Sequence, residues 1–499
     1  MAFAIFAIVH AVLWTIVPAF LQRSLQLDGI EGVAYGRDWQ LGYWKHPPLP
    51  WLLMDITHQI FGARLWAFFL LGQLAAVAAF WAIWRLGREL FTPLEAFVAV
   101  VILDGYIQFN FNTSAFNHGI LELPFFALAG WSLYRAFVGG ALRDWLLLGL
   151  WFALAFYTKY EAFVLLVPAL LFSVIDPQAR RCWGKPGPYI ASVVCAGLCA
   201  PQLMWMALVD HYSAIKFAQD KAAPAHSLFD LLWATADFTV NGLFYIIPVA
   251  ALFLLLVGPK GPMRPPSAAA SDPFARRYLA FLAFGPLLTC IATGLLFGRH
   301  LEAGWADLCW CFISLYLMAR WRPAVDHAAL GRVLIGWCGI TGMFVAAKVA
   351  TEVFLVAQGY LMQSQFPGEQ FAALVTGAWH KEVGTAPLPY VVGEFWSAGN
   401  VILFSSERPR LFERGDPIRS PRADPADIRR QGAVILFEPA VRLNALPTAQ
   451  TSAPWLAEFP GAEPRAPFVI RQETLRGEID WAIGWALLKP EAGVGSSTR

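Results

Sequence analysis

The chain has 499 residues, 58% of them hydrophobic and 14% charged, with 39 Phe, 22 Trp and a formal charge of +2. Soluble globular chains are about half apolar and about a quarter charged, so a water-soluble fold is excluded for most of the length. The near-neutral charge and the lack of any nucleic-acid motif exclude nucleic acid as a partner. The seven cysteines (182, 195, 199, 290, 309, 311 and 338) all lie in or beside apolar stretches, which excludes a disulfide framework. Cys309 and Cys311 form a C-x-C pair inside an apolar run with no second ligand pair, and read as packing.

In chain order, Met1–Leu21 carries no Asp, Glu, Lys or Arg. It lacks a basic leader and a small-residue cleavage site, and so reads as a retained first transmembrane helix. Further apolar segments near the roughly 20 residues that cross a bilayer fall at 63–84, 93–109, 119–138, 145–157, 161–175, 189–209, 231–257, 279–297, 304–319 and 333–357. With 2–20 they predict about 11–13 transmembrane helices. The loops alternate in charge: thirteen Lys and Arg fall in one set and seven in the other. The positive-inside rule puts the richer set, with Arg180, Arg181, Arg276 and Arg277, in the cytoplasm. The N-terminus is then cytoplasmic, and everything after 358 is periplasmic in a bacterial inner membrane.

The loop 258–278 is rich in Pro, Ala and Ser and reads as a flexible linker. No internal repeat is visible. After residue 357 the long apolar runs end, and short ones at Leu388–Val392, Ala433–Phe437 and Pro467–Ile470 predict strands of a small α/β domain. The expected division is a transmembrane domain over 1–357, with a periplasmic loop at 21–62, and a periplasmic domain over 358–499.

The first outer loop, LDGIEGVAYGRDWQLGYWKHPPLPWLL, places Asp28, Glu31, Arg37, Asp38, Lys45 and His46 among Tyr35, Trp39, Tyr43, Trp44 and Trp51. Charges packed beside aromatics at a membrane surface mark a binding or reacting site more often than an idle loop. Asn112 and His118 lie in the second outer loop, Lys159 in YTKYEAF, and Arg299 with His300 in GRHLEAGW. A lone Lys at a helix end is most often a snorkelling anchor. Three cations on one face, Lys45, Lys159 and Arg299, can instead neutralise a phosphate.

The stretch from Asp28 to Trp51 resembles the first periplasmic loop of the family 39/83-type GT-C glycosyltransferases, the superfamily of protein O-mannosyltransferases and the lipid A aminoarabinose transferase. Asp28-Gly29-Ile30-Glu31 followed by Gly42-Tyr43-Trp44-Lys45-His46-Pro47-Pro48-Leu49 carries the likeness. The Asn-rich second loop, the T-K-Y turn, the cation before Trp305 and the V-G-E-F-W-S-A-G-N run are similar in order. The resemblance implies a polytopic α-helical GT-C fold with a C-terminal periplasmic α/β domain. It also implies an inverting hexosyl- or pentosyltransferase that moves a sugar from a polyprenyl-phosphate donor to a lipid, glycan or protein acceptor. Asp28 matches the family's catalytic aspartate and is the expected general base. Gly29 stands where the family often has Glu, which leaves Glu31 as the nearest substitute. Tyr43, His46, Asn112, His118 and His300 are the expected substrate contacts. No cofactor is certain; a divalent metal, with Glu31 or His46 as ligand, stays open. Two other classes stand beside this one: a transporter or flippase of lipid-linked saccharides, for which Asp104 and Asp237 are the intramembrane candidates, and an inactive binding protein on the same scaffold.

Overall fold

A computed structural model of the protein describes residues 1–258, 272–356, 362–443, 450, 452–474 and 477–491. Most of the linker 258–278 and the expected boundary at 357/358 therefore lie outside the described residues. The chain forms two compact units that do not follow chain order. The first comprises Met1–Thr15, Lys45–Leu49 and Leu70–Ala346; the second comprises Ile16–Trp44, Pro50–Phe69 and Ala347–Arg499.

Among the described residues, five helices are long and apolar enough to cross a bilayer: Ala2–Leu21, Leu65–Leu90, Gly187–Leu208, Pro273–Phe297 and His327–Phe354. At 1.5 Å per residue, 20 residues reach the roughly 30 Å of the hydrocarbon core. Two bent pairs raise the number to seven: Pro93–Leu103 with Ile107–Ser114, bent by 96°, and Leu228–Phe244 with Ile247–Val257, bent by 46°. This is a multi-pass helical membrane protein. Of the other expected spans, one falls on the 21-residue helix His118–Val138 and two on the shorter helices Leu142–Thr158 and Phe163–Ile175.

Within the first unit, local chemistry sets the breaks. Pro93 opens its helix behind Thr92, which forms a reciprocal capping box with Glu95. Asp104, at the end of that helix, accepts from Trp337 Nε1 at 2.6 Å and lies 3.2 Å from His10 Nδ1. Its buried charge is thus absorbed by neighbouring helices. The expected span 304–319 is helical only from Ile313 to Trp321. The irregular stretch before it is tolerated because Tyr106 Oη donates to the carbonyls of Ala306 and Asp307, at 3.1 and 3.0 Å. Non-helical backbone at membrane depth requires such partners.

The second unit is built on a sheet. Its strands are β1 (Tyr390–Gly393), β2 (Arg410–Glu413), β3 (Ala433–Leu436), β4 (Ala440–Leu443), β5 (Glu463–Thr474) and β6 (Gly477–Leu488), in the order β2-β1-β3-β6-β4 with β5 also on β6. β2 and β3 run parallel to β1, and β6 runs antiparallel to β3, β4 and β5. Parallel neighbours need a crossover, and helices Phe395–Phe404 and Pro425–Gln431 supply the two required. The expected strand segments at 388–392, 433–437 and 467–470 fall on β1, β3 and β5.

The first-loop helix Leu27–Gly36 packs in this unit against Phe395–Phe404, at a contact where Gly399 leaves room for Ile30. Tyr35 stacks on Trp51 at 4.9 Å, and Tyr43 meets Trp51 edge-on at 4.5 Å. The backbone passes so close at Gly36 that an added Cβ would lie 2.2 Å from the Trp51 carbonyl. At the other end of the unit, the buried Glu352 carboxylate is satisfied by Gln22 at 2.5 Å, Ser364 at 2.6 Å, Gln365 at 3.0 Å and Lys348 at 3.2 Å.

Glu413 ends β2 at 1% side-chain exposure, 2.9 Å from Arg419 Nη1. Arg419 in turn lies 4.4 Å over the Trp44 ring. Burial pushes the Glu413 carboxyl up to about 7, and Arg419 only partly offsets this. A carboxyl whose folded pKa exceeds its unfolded one destabilises the fold when ionised. That penalty is absent below the unfolded value and complete above about 7. Glu413→Gln is therefore expected to gain thermal stability over the parent at pH 8 and to match it near pH 4. A difference independent of pH would contradict the assignment.

Candidate functional site

A cavity of about 290 Å³ in the first unit gathers residues from five separate stretches of chain. Lys45 and His46 come from the first outer loop, Lys159, Tyr160 and Glu161 from the break between two helices, and Lys221 from the end of helix Ser213–Lys221. Cys290, Thr293, Glu302 and Trp305 close the remaining side.

Lys159 sits here because helix Leu142–Thr158 stops at it: its backbone is extended, and a single 3-10 turn, Tyr160–Ala162, leads into Phe163–Ile175. The side chain is 15% exposed, with Nζ 2.9 Å from Glu161 Oε2 and 3.5 Å from the Gly304 carbonyl. Burial pulls the ammonium's pKa down, but the Glu161, Glu122 and Asp307 carboxylates outweigh it and hold the pKa above its ordinary value. The charge is therefore permanent at any physiological pH. Lys45 Nζ lies 5.8 Å from the Phe217 ring centre, within reach of a cation–π attraction. His46 packs on the His118 ring at 4.0 Å. Burial, followed by the nearby His118 and Lys45, pushes the His46 imidazole well below its usual range. It stays neutral beside the lysines and acts as a hydrogen-bonding group. Three lysines against Glu161 and Glu302 make a cavity suited to an anion.

Other expected residues have different surroundings. Arg299 is absent from the lining of this cavity. Its Nη1 donates to the carbonyls of Gln219 at 2.7 Å and Ala222 at 2.9 Å, fastening the segment that carries Lys221. His300 Nε2 lies 3.0 Å from Asp230 Oδ2, and Asn112 Nδ2 donates to Gln108 at 2.6 Å. In the second unit, Tyr43 is 2% exposed within the aromatic stack. Asp28 is exposed in the first turn of helix Leu27–Gly36, and Glu31 is buried one turn on. A carboxylate in a first turn is favoured by the helix dipole. Among the described residues, no group of three or more His, Cys, Asp or Glu side chains is placed to hold a metal ion. Glu31 lies in the second unit and His46 in the first.

Lys221 is the residue that sequence reasoning passed over. The available signal was a lysine ending a short polar stretch, FAQDKAAPAH, between two apolar segments on the same side as Lys159.

The chain has the fold of a solved membrane protein, ArnT. Residues 45–205 match a family model described as dolichyl-phosphate-mannose-protein mannosyltransferase. The chain is similar in structure to ArnT from Cupriavidus metallidurans bound to undecaprenyl phosphate, with a TM-score of 0.62 and 11% identity over 99% of both chains. It is also similar to ArnT from the same organism in the apo state, with a TM-score of 0.58 and 13% identity over 97% of both chains. No curated protein matches it in sequence.

Lys159→Met would leave Glu161 buried without its counter-ion, a change that costs about 3–5 kcal/mol. A fall of several degrees in the apparent Tm of the purified protein is expected, with at least half of it recovered in Lys159→Met/Glu161→Gln. Equal stability of the single variant and the parent would show that the pair carries no such burden.

Proposed function

We propose that the protein is a glycosyltransferase that moves a sugar from a polyprenyl-phosphate-linked donor to an acceptor hydroxyl on the outer face of the membrane, with inversion. The observation that carries this reading is the buried, lysine-lined cavity on a GT-C fold. In this reaction the acceptor oxygen attacks the anomeric carbon, and the bond from that carbon to the phosphate oxygen breaks. The electron pair leaves with the lipid phosphate, and the acceptor proton passes to a base.

Lys45 and Lys159 receive the developing phosphate charge, which fixed cations in a low-dielectric site stabilise far more than in water. Lys221 adds a third cation, and Arg299 acts one step removed by holding the Lys221 segment in place. Asp28 is the general base: its carboxylate is exposed, held at a helix start, and matches the family motif. Glu31 supports it from the next turn. His118 and His46 flank the lysines as neutral hydrogen-bonding groups for the sugar, and Tyr43, Asn112 and His300 are further candidate substrate contacts. The acceptor is a lipid, glycan or protein.

The thirteen-to-seven bias of basic residues supports a cytoplasmic N-terminus and a periplasmic second unit in a bacterial inner membrane. The transporter reading loses ground because Asp104, its buried candidate, is already engaged by Trp337.

Loss of a general base lowers turnover by about 10²–10⁴-fold. Asp28→Asn is therefore expected to lose transfer by that factor, measured with purified protein and an undecaprenyl-phosphate-linked sugar, while donor binding is retained. Transfer within a few-fold of the parent would remove Asp28 from the role of base.

A further inference from the structure

The second unit contains a larger cleft, about 880 Å³, at the edge of the sheet where β1 and β2 begin. Arg37, Tyr390 and Arg410 line one part of it; Glu382, Gln431 and Lys489 line another. Its volume lies in the range of small-molecule sites, and its lining is too rich in charged groups to hold a lipid tail.

The state of each charged group decides what the cleft can take. Glu382 is held by Arg465 at 3.1 Å and Lys489 at 3.6 Å. Glu407 accepts from His380 Nε2 at 2.5 Å and from the Leu388 amide at 2.7 Å. Asp427 accepts from the Tyr390 hydroxyl at 2.7 Å and from Gln431 Nε2 at 2.5 Å. Three of its carboxylates are thus neutralised or occupied within the protein. The arginines beside Arg37 are engaged too: Arg408 by Asp55, and Arg410 by Asp38 at 3.5 Å.

Arg37 differs. It caps helix Leu27–Gly36, and its guanidinium makes no hydrogen bond or ion pair among the described residues. Burial and the nearby Arg408 disfavour its charged form, as does Arg410, and the Asp38 and Asp55 carboxylates offset this only in part. A guanidinium does not deprotonate in a protein. An anion from outside, gripped by its planar fork, would complete what Asp38 and Asp55 offset only in part.

We propose that this cleft binds an anionic saccharide, a sugar bearing a carboxylate or phosphate group that pairs with Arg37. The groups around Arg37 suit the rest of such a molecule. Asp427, Glu407 and Gln431 are held rigid by their own hydrogen bonds and keep unused lone pairs for sugar hydroxyls. Tyr390 and Trp379 lie beneath the cleft as buried aromatic packing, which fixes the position of its floor. The site belongs to the second unit alone and shares no lining residue with the Lys45–Lys159 cavity. It goes beyond the transfer reaction and stands whether or not Asp28 is the base.

The test is calorimetric titration of the purified full-length protein, with no donor present, using glucuronate, glucose 6-phosphate and glucose. Both anionic sugars are expected to bind saturably, at least 10-fold more tightly than glucose. Their binding should weaken at least 10-fold in Arg37→Ala and survive in Lys45→Ala. In the unmodified protein, glucuronate should also protect Arg37 from phenylglyoxal, read by mass spectrometry, so the outcome does not hang on one variant's folding. Absence of anionic-sugar binding, equal binding of glucose, binding unaffected by Arg37→Ala, or unchanged phenylglyoxal modification of Arg37 would each overturn the proposal.

Discussion

The first unit depends on one constraint: a permanently charged ammonium, Lys159, held at 15% exposure at the break between two apolar helices. An isolated buried charge costs many kcal/mol, so the surroundings must answer it. Glu161, two residues on, supplies a carboxylate at 2.9 Å, and the Gly304 carbonyl approaches from a distant loop. The broken helix follows from the same requirement. The extended Lys159 and the 3-10 turn that follows let its Nζ meet Glu161 Oε2. The result is a cavity with fixed positive charge, from which a departing phosphate would gain.

Irregular backbone elsewhere in that unit obeys the same accounting of polar groups. Tyr106 satisfies two carbonyls of the non-helical stretch before Ile313, and Arg299 satisfies two more beside Lys221. These side chains hold loops in place where a membrane offers no water to do so. Arg299, expected as a third phosphate cation, has its Nη1 bound to the Gln219 and Ala222 carbonyls.

The long spans were legible because twenty apolar residues without charge permit little else, and the C-terminal strands because short apolar runs lie between turn residues. The resemblance carried by Asp28, Lys45 and His46 pointed to the GT-C fold. Shorter elements were harder to read. Residues 304–319 are apolar throughout much of their length, yet hydropathy is blind to Tyr106 waiting to accept the burden of unwound carbonyls. Lys221 was not singled out, since its neighbours in space, Lys45 and Lys159, are 176 and 62 residues away in sequence. Nor does composition reveal that Ile16–Trp44 clusters with the sheet domain. That packing rests on Gly399 facing Ile30 and on the aromatic stack of Tyr35, Tyr43 and Trp51, contacts set by shape rather than by polarity.

The central claim is that the lysine-lined cavity is the pole that receives a lipid phosphate. It is tested most directly by the affinity of the purified protein for undecaprenyl phosphate, measured by native mass spectrometry for the parent and for Lys45→Ala. Lys45 is only partly buried, so its removal leaves the Lys159–Glu161 pair intact. At least a 10-fold loss of affinity is expected, the effect of removing one charge-assisted partner from a phosphate. Equal affinity of the two proteins would contradict it.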